Sequence, residues 1–146
     1  VTEFFEHYRV AGEMLHLVIA STDDDTYLGE VMLNVNEDNV GELGCGVLEA
    51  ERGRGTATHA LRLLADWSLT NLGLGRVQVV IALENAAALR LAKRAGFHRE
   101  GLLRAYWERD GARVDTVIYS LIPQDIAELE SLNHPNGAMA WARLAE

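Results

Sequence analysis

Ten consecutive residues, Glu49-Ala50-Glu51-Arg52-Gly53-Arg54-Gly55-Thr56-Ala57-Thr58, hold the ingredients of an anion site. They read as a strand end, a basic loop broken by two glycines, and the start of a helix. Gly53 and Gly55 let the backbone turn tightly and expose successive N–H groups, and a helix N-terminus adds unpaired amides with partial positive charge. Arg52 and Arg54 add formal charge. A diphosphate suits such a cradle, although a basic turn with ordinary helix capping has the same composition. The string is not a G-x-x-x-x-G-K-[ST] loop, and no G-x-G-x-x-G follows a strand. Cys45 is the single cysteine, so no internal disulfide is expected, and with five scattered histidines no metal site is expected either. A lone small thiol inside a strand reads as a packing residue rather than a nucleophile.

With 146 residues, 49% of them hydrophobic, the chain suffices for one well-buried domain and not for two. No apolar run approaches the roughly 20 residues of a membrane-spanning helix, and Val1 to Glu6 lack the basic and apolar regions of a secretory signal. The expected location is a reducing cytoplasm, with no membrane partner. The net charge of -9 is unevenly placed: residues 1–51 hold 12 acids and one base, residues 52–113 hold 11 bases and 5 acids, and residues 114–146 hold 5 acids and one base. An acidic protein is repelled by nucleic acid phosphates. A basic middle third suits a small anionic ligand, and an acidic first third suits a cation, unless both are only solvated faces.

The elements that must carry these residues follow from periodicity. Residues 4–13 are predicted as a short helix. His16–Ala20, Tyr27–Asn34 and Gly41–Leu48 are predicted strands separated by polar turns, an antiparallel meander. From Thr56 to Leu72 the apolar positions Ala57, Leu61, Leu64, Ala65, Ser68 and Leu72 form a helical stripe ended by Gly73 and Gly75. Arg76–Glu84 reads as a central strand. Asn85 caps a second helix with Ala88, Leu91, Ala92 and Ala95 on its buried side and Gly96 at its end. Arg99–Glu108 and Arg113–Leu121 form a hairpin around Asp110-Gly111. From Gln124 the chain reads as a short helix, a turn at 133–137 and a second short helix around Trp141. This order describes an α+β domain with a mixed sheet.

Arg52-Gly53-Arg54-Gly55-Thr56-Ala57 resembles the R/Q-x-x-G-x-G/A signature of the GNAT superfamily of N-acetyltransferases, placed between a strand and a helix as in that family. Asn85 to Phe97 (N-A-A-A-L-R-L-A-K-R-A-G-F) is similar to its N-x-x-A helix ending in G-F. The segments E-G-L-L-R-A-Y-W and D-G-A-R-V-D-T-V-I-Y-S-L are most similar to the branch that acetylates N-terminal amines of ribosomal proteins. The resemblance covers about residues 14–123.

It implies a mixed, mostly antiparallel sheet with helices on both faces, apparently lacking the first strand and helix of the family. It also implies an N-terminally incomplete acetyltransferase domain over 1–123 and a helical tail over 124–146. The donor would be acetyl-CoA, with no metal. Its pyrophosphate would lie on the amides of Arg54 to Thr58, within a loop running from Arg52 through Gly53, Gly55, Thr56 and Ala57. Its pantetheine arm would pair with the backbone near Val47 and Leu48, and Asn85 would face the same cleft. Glu42 aligns with a strand glutamate that some members use as base; by alternation it shares a face with Gly44, Gly46 and Leu48. The oxyanion would rest on a backbone N–H of Val47 or a neighbour. Where relatives carry a tyrosine or serine on the second helix, this chain has Ala92 and Ala88, which leaves Tyr106 and Tyr119 as general-acid candidates. The acceptor would be a peptide or protein N-terminal amine, or a small cation such as a polyamine or aminoglycoside. A CoA-binding module without catalysis is the competing reading, and a homodimer is left open.

Overall fold

Short side chains that bond their own backbone shape the first turns. In the computed structural model, which describes residues 6–9 and 14–127, the Asp24 carboxylate accepts from Thr26 N–H at 3.1 Å, and Asn36 Oδ1 accepts from the N–H groups of Asp38 and Val40 at 3.0 and 3.1 Å. Asp25 and Asn39 take the left-handed conformation these reversals need. The turns join β2 (Met14–Ala20), β3 (Tyr27–Val35) and β4 (Val40–Val47) into the expected meander. There follow α1 (Thr56–Thr70), β5 (Arg76–Ala82), α2 (Ala86–Arg94), β6 (His98–Arg109) and β7 (Ala112–Leu121). Asp110 and Gly111, both at positive φ, close the last hairpin as the sequence predicts.

The helix predicted over residues 4–13 is not formed where the chain is described: Glu6–Arg9 is a strand, β1, pairing antiparallel with β2 from Glu6↔Leu17 to Arg9↔Met14. Pairing with the open edge of β2 satisfies backbone groups that so short a helix would leave bare. The seven strands lie in the order β1-β2-β3-β4-β5-β7-β6, all antiparallel except the β4–β5 pair.

Register puts one set of side chains on one face. Leu15, Leu17 and Ile19 of β2 meet Leu33, Val31 and Gly29 of β3, and Leu33 and Val31 meet Leu43 and Cys45 of β4. Val77, Val79 and Ile81 of β5 continue the face toward Leu121, Tyr119 and Val117 of β7. Helix α1 covers this face with Ala60, Leu61, Leu64, Ala65, Ser68 and Leu69. Ala60 and Leu69 stand where Ala57 and Leu72 were expected, because the helix ends at Thr70 and Leu72 lies beyond it, exposed. Buried Ser68 donates its hydroxyl to Leu64 O at 2.6 Å. Helix α2 lies against α1 and β5, and its Ala92 joins the same core. Residues 123–127 begin a further helix whose Ile126 enters that core; the rest of the predicted tail lies outside the described residues. Among the described residues no helix covers the opposite face, which carries Glu30, Met32, Glu42, Gln78 and Ile118.

Gly29 has a specific task. A Cβ there would collide with Gly46 O and stand 2.8 Å from Val47 Cα, so the missing side chain lets β4 close onto β3. Truncating the centre of the helix–sheet contact tests the packing. Leu64→Ala, at a side chain 1% exposed, is expected to lower unfolding free energy by about 2–5 kcal/mol with unchanged far-ultraviolet circular dichroism, read by chemical denaturation.

Candidate active site

The parallel pair at the centre of the sheet is short. Strands β4 and β5 match at Val40↔Arg76, Gly41↔Val77 and Glu42↔Gln78, and the ladder stops there although both strands run on. Leu43–Val47 and Val79–Ala82 therefore diverge into a V whose apex is Glu42 and Gln78. From apex to the end of β4 is about 17 Å at the usual strand rise. A Cβ on Gly46 would meet nothing within 4 Å, so the helix-free face is open beside this stretch of β4.

The chain leaves the mouth of the V through Leu48, a 3-10 turn (Glu49–Glu51) and the glycine loop. Gly53 and Gly55 have φ of 76° and 82°, conformations that an L side chain rarely takes. Gly55 is the N-cap of α1, and no side chain caps the helix. Its first amides are therefore offered outward, as an anion site requires. Thr56 is held by its hydroxyl, which donates to Glu51 Oε2 at 3.2 Å, while Arg54 lies 3.6 Å from Glu51 and is mostly exposed. Arg52, Ala57 and Thr58 complete the loop and first turn as the sequence predicts. Beside them, Gly55, Thr58, His59, Arg62, Arg94, Ala95 and Gly96 line an open pocket of about 430 Å³ between α1 and the end of α2. Arg62 bridges the two helices, donating to Asp66 at 2.7 Å and to Ala95 O at 3.0 Å. Asn85 caps α2, its Oδ1 accepting from Ala88 N–H at 3.1 Å, on the β5 side of the same mouth.

Glu42 stands at the apex on the helix-free face, opposite Asn34 of β3 and Gln78 of β5. Gln78 Nε2 donates to Glu42 Oε2 at 3.3 Å, and Gln78 Oε1 accepts from Arg76 Nε at 3.0 Å. The Arg76 guanidinium makes a two-point pair with Glu100, at 2.8 and 2.6 Å, and Ser120 donates to Glu100 Oε1 at 2.8 Å. Arg76, then Ser120, hold the Glu100 carboxyl down to about 2. The sequence reading missed these three residues, Arg76, Gln78 and Glu100. Arg76 and Gln78 alternate on one face at the start of R-V-Q-V-V-I-A, a signal the strand pattern does contain.

The two catalytic candidates are not brought together. Tyr106 is 51% exposed on the edge strand β6, in a bulge where Ala105 has φ of 52° and donates its N–H to Asp115 at 2.7 Å. It lies beside the Val114 end of β7, whereas Glu42 aligns with Ser120. Six residues along the strands and three strand spacings across the sheet put it about 25 Å away, so it cannot serve a thioester beside Glu42. Tyr119 points into the buried core. Cys45 also faces the core, and burial pushes its thiol up to about 11, which suits packing. His98 is exposed and reaches Asp125 at 3.3 Å.

Comparison with known proteins decides the family. Residues 1–98 match the family described as acetyltransferase (GNAT) domain. The chain belongs to the GNAT acetyltransferase family. Its members use acetyl-CoA, which sets the donor class. The chain is 28% identical over 118 residues to an uncharacterized N-acetyltransferase, p20, of Bacillus licheniformis, covering 80% of this chain and 66% of that one. It thus spans just under two thirds of that relative. Among solved structures it is similar to a spermidine N-acetyltransferase from Vibrio cholerae in complex with CoA and spermine (TM-score 0.70, 22% identity, 78% of this chain and 68% of that one). It is equally similar to a ribosomal-protein alanine acetyltransferase from Vibrio fischeri (TM-score 0.70, 21% identity, 77% and 63%). The likeness to both establishes the GNAT fold and leaves the acceptor open. No helix among the described residues is long and apolar enough to cross a membrane.

Two outcomes are expected. Gly55→Val should abolish CoA binding in calorimetry at a stability cost of about 1–3 kcal/mol, because a β-branched residue resists φ near 82° and its side chain would stand where phosphate approaches. Unchanged affinity in a folded variant would refute the loop assignment. The Glu100 pair gives a pH signature: a carboxyl lowered in the folded state stabilises above its unfolded value, and that stabilisation fades as pH falls from about 5 to 2. Glu100→Gln should lower the melting temperature near neutrality and narrow its gap from wild type across that acid range.

Proposed function

We propose that this GNAT chain transfers the acetyl group of acetyl-CoA to the N-terminal amine of a peptide or protein in the cytoplasm. The observation that carries this reading is the continuous track from the Glu42–Gln78 apex, along the β4 edge left unpaired where the ladder to β5 stops, to the start of α1 that no side chain caps. The pyrophosphate rests on the amides of Arg54 to Thr58, with Arg52 and Arg54 as the charged rim. The pantetheine arm follows the backbone at Val47 and Leu48, and Asn85 flanks it from the β5 side. The thioester then reaches the apex.

Attack requires a neutral amine, since an ammonium has no lone pair. The amine nitrogen bonds to the thioester carbonyl carbon, and Glu42 takes its proton directly or through a water. The oxyanion is held by a β4 backbone N–H between Leu43 and Val47. The C–S bond breaks as the carbonyl reforms, leaving an amide and CoA thiolate, which takes a proton from solvent. A thiol pKa near 8.5 makes this departure easy without an acid, which fits Ala88 and Ala92 on α2. An α-amine, near 7.7–8.0, needs far less help than a lysine-like amine near 10.4.

A small polycation is the second reading. Glu30 shares the helix-free face with Glu42, opposite Gly46 on β3, and one similar structure holds spermine. Thiol release with an alanine-initiated peptide and with spermidine separates the two. Binding of CoA with no turnover on any amine would favour a binding module instead. Glu42→Gln is expected to lower kcat/KM by roughly 10²- to 10⁴-fold at neutral pH with acetyl-CoA affinity unchanged, and the loss should shrink as pH rises. A variant within about threefold of wild type at every pH would remove Glu42 from the chemistry.

A further inference from the structure

We infer that Gln78 is a positioning residue for Glu42, and that the Arg76–Glu100 pair sets which way Gln78 points. This rests on the reading of Glu42 as the base. An amide has two different ends, and here each has an assigned partner: Oε1 accepts from Arg76 Nε at 3.0 Å, which leaves Nε2 to donate to Glu42 Oε2 at 3.3 Å. Arg76 cannot swing away, because Glu100 grips both terminal nitrogens and is itself anchored by Ser120. The chain of five side chains crosses β4, β5, β7 and β6 on one face.

Two consequences follow for the carboxylate. Oε2 is tethered while Oε1 has no hydrogen-bond partner among the described residues, so one oxygen is fixed in place and the other is free for an amine proton. The tether is also neutral. Arg76 starts one alternation from Gln78 and is the cation nearest in register to Glu42, yet its charge is spent on Glu100. A direct Arg76–Glu42 pair would hold the carboxylate ionised and weaken it as a base. The pair with Glu100 removes that competitor and uses it to aim the amide instead.

The test uses the whole chain, with an alanine-initiated peptide and spermidine as acceptors and the faster one carried forward. Gln78→Leu is expected to lower kcat about tenfold while KM for acetyl-CoA stays within about twofold, as for a misplaced rather than missing group. Glu100→Gln, remote from the apex, should move kcat in the same direction with the fold intact. Combined with Glu42→Gln, Gln78→Leu should add nothing, because it acts through a group already removed. Losses that multiply, or a Gln78→Leu protein with wild-type kcat, would overturn the inference while leaving Glu42 as base. A Glu42→Gln protein of near wild-type rate, or a wild-type protein silent on both acceptors, would overturn the underlying reading and this inference with it.

Discussion

One parallel pair inside an otherwise antiparallel sheet governs the rest of the molecule. Strands that run the same way cannot be joined by a hairpin, so β4 must reach β5 through a crossover, and the crossover is α1. That requirement places a helix N-terminus just past the end of β4. The ladder between the two strands lasts only three residue pairs, and the twist natural to strands carries their remaining lengths apart. A cleft and a helix N-terminus that no side chain caps thus arise from one topological choice. The same choice gives β4 a stretch of backbone with no neighbour on one side, where an extended ligand arm can pair as a strand would.

Electrostatics then divides the sheet into two kinds of surface. The face under α1 and α2 is apolar, and it takes Cys45, Tyr119 and Ile126 into its core. The opposite face carries carboxylates at Glu30, Glu42 and Glu100, with Arg76 between Glu42 and Glu100. Where that arginine goes decides what the apex can do. Locked onto Glu100, it ties β5 to β6 across β7 and leaves Glu42 with a neutral donor. Stability and the proposed chemistry would therefore draw on the same pair: the interaction that lowers the Glu100 carboxyl also keeps a cation off Glu42.

Much of this was legible in the residues, and the failures have physical reasons. Helix α1, the glycine loop, the Asn85 cap, the Asp110-Gly111 hairpin and the meander carry local signals of turn chemistry and period, which need no tertiary partner. Glu6–Arg9 carries none: four residues become a strand because β2 offers an edge, a non-local event. Tyr106 was a candidate by its place on a strand, but strand membership does not fix which end of the sheet a residue occupies, and register with β7 puts it far from Glu42. The Gln78 contact fails for the opposite reason. Its alternation with Arg76 is visible in the sequence, but its meaning appears only when Glu42, 36 positions earlier, is laid beside it.

The alanines at 88 and 92 bear on how much catalytic machinery this chemistry needs. A thioester already carries a good leaving group, so the step that limits attack near neutrality is removal of a proton from the incoming amine. On the reading proposed above, a site with a positioned carboxylate and alanines at 88 and 92 would be better matched to an acceptor whose own pKa is close to ambient than to one held strongly protonated. The N-terminal amine satisfies that condition, and it arrives on an extended chain that the open, helix-free face can admit. A polyamine satisfies the charge of the face, through Glu30 and Glu42, but asks more of the base. If Glu42 acts as proposed, an acceptor here must meet two demands, proton removal at the apex and cation binding along the face, and they converge on the Glu42 oxygen that has no hydrogen-bond partner among the described residues.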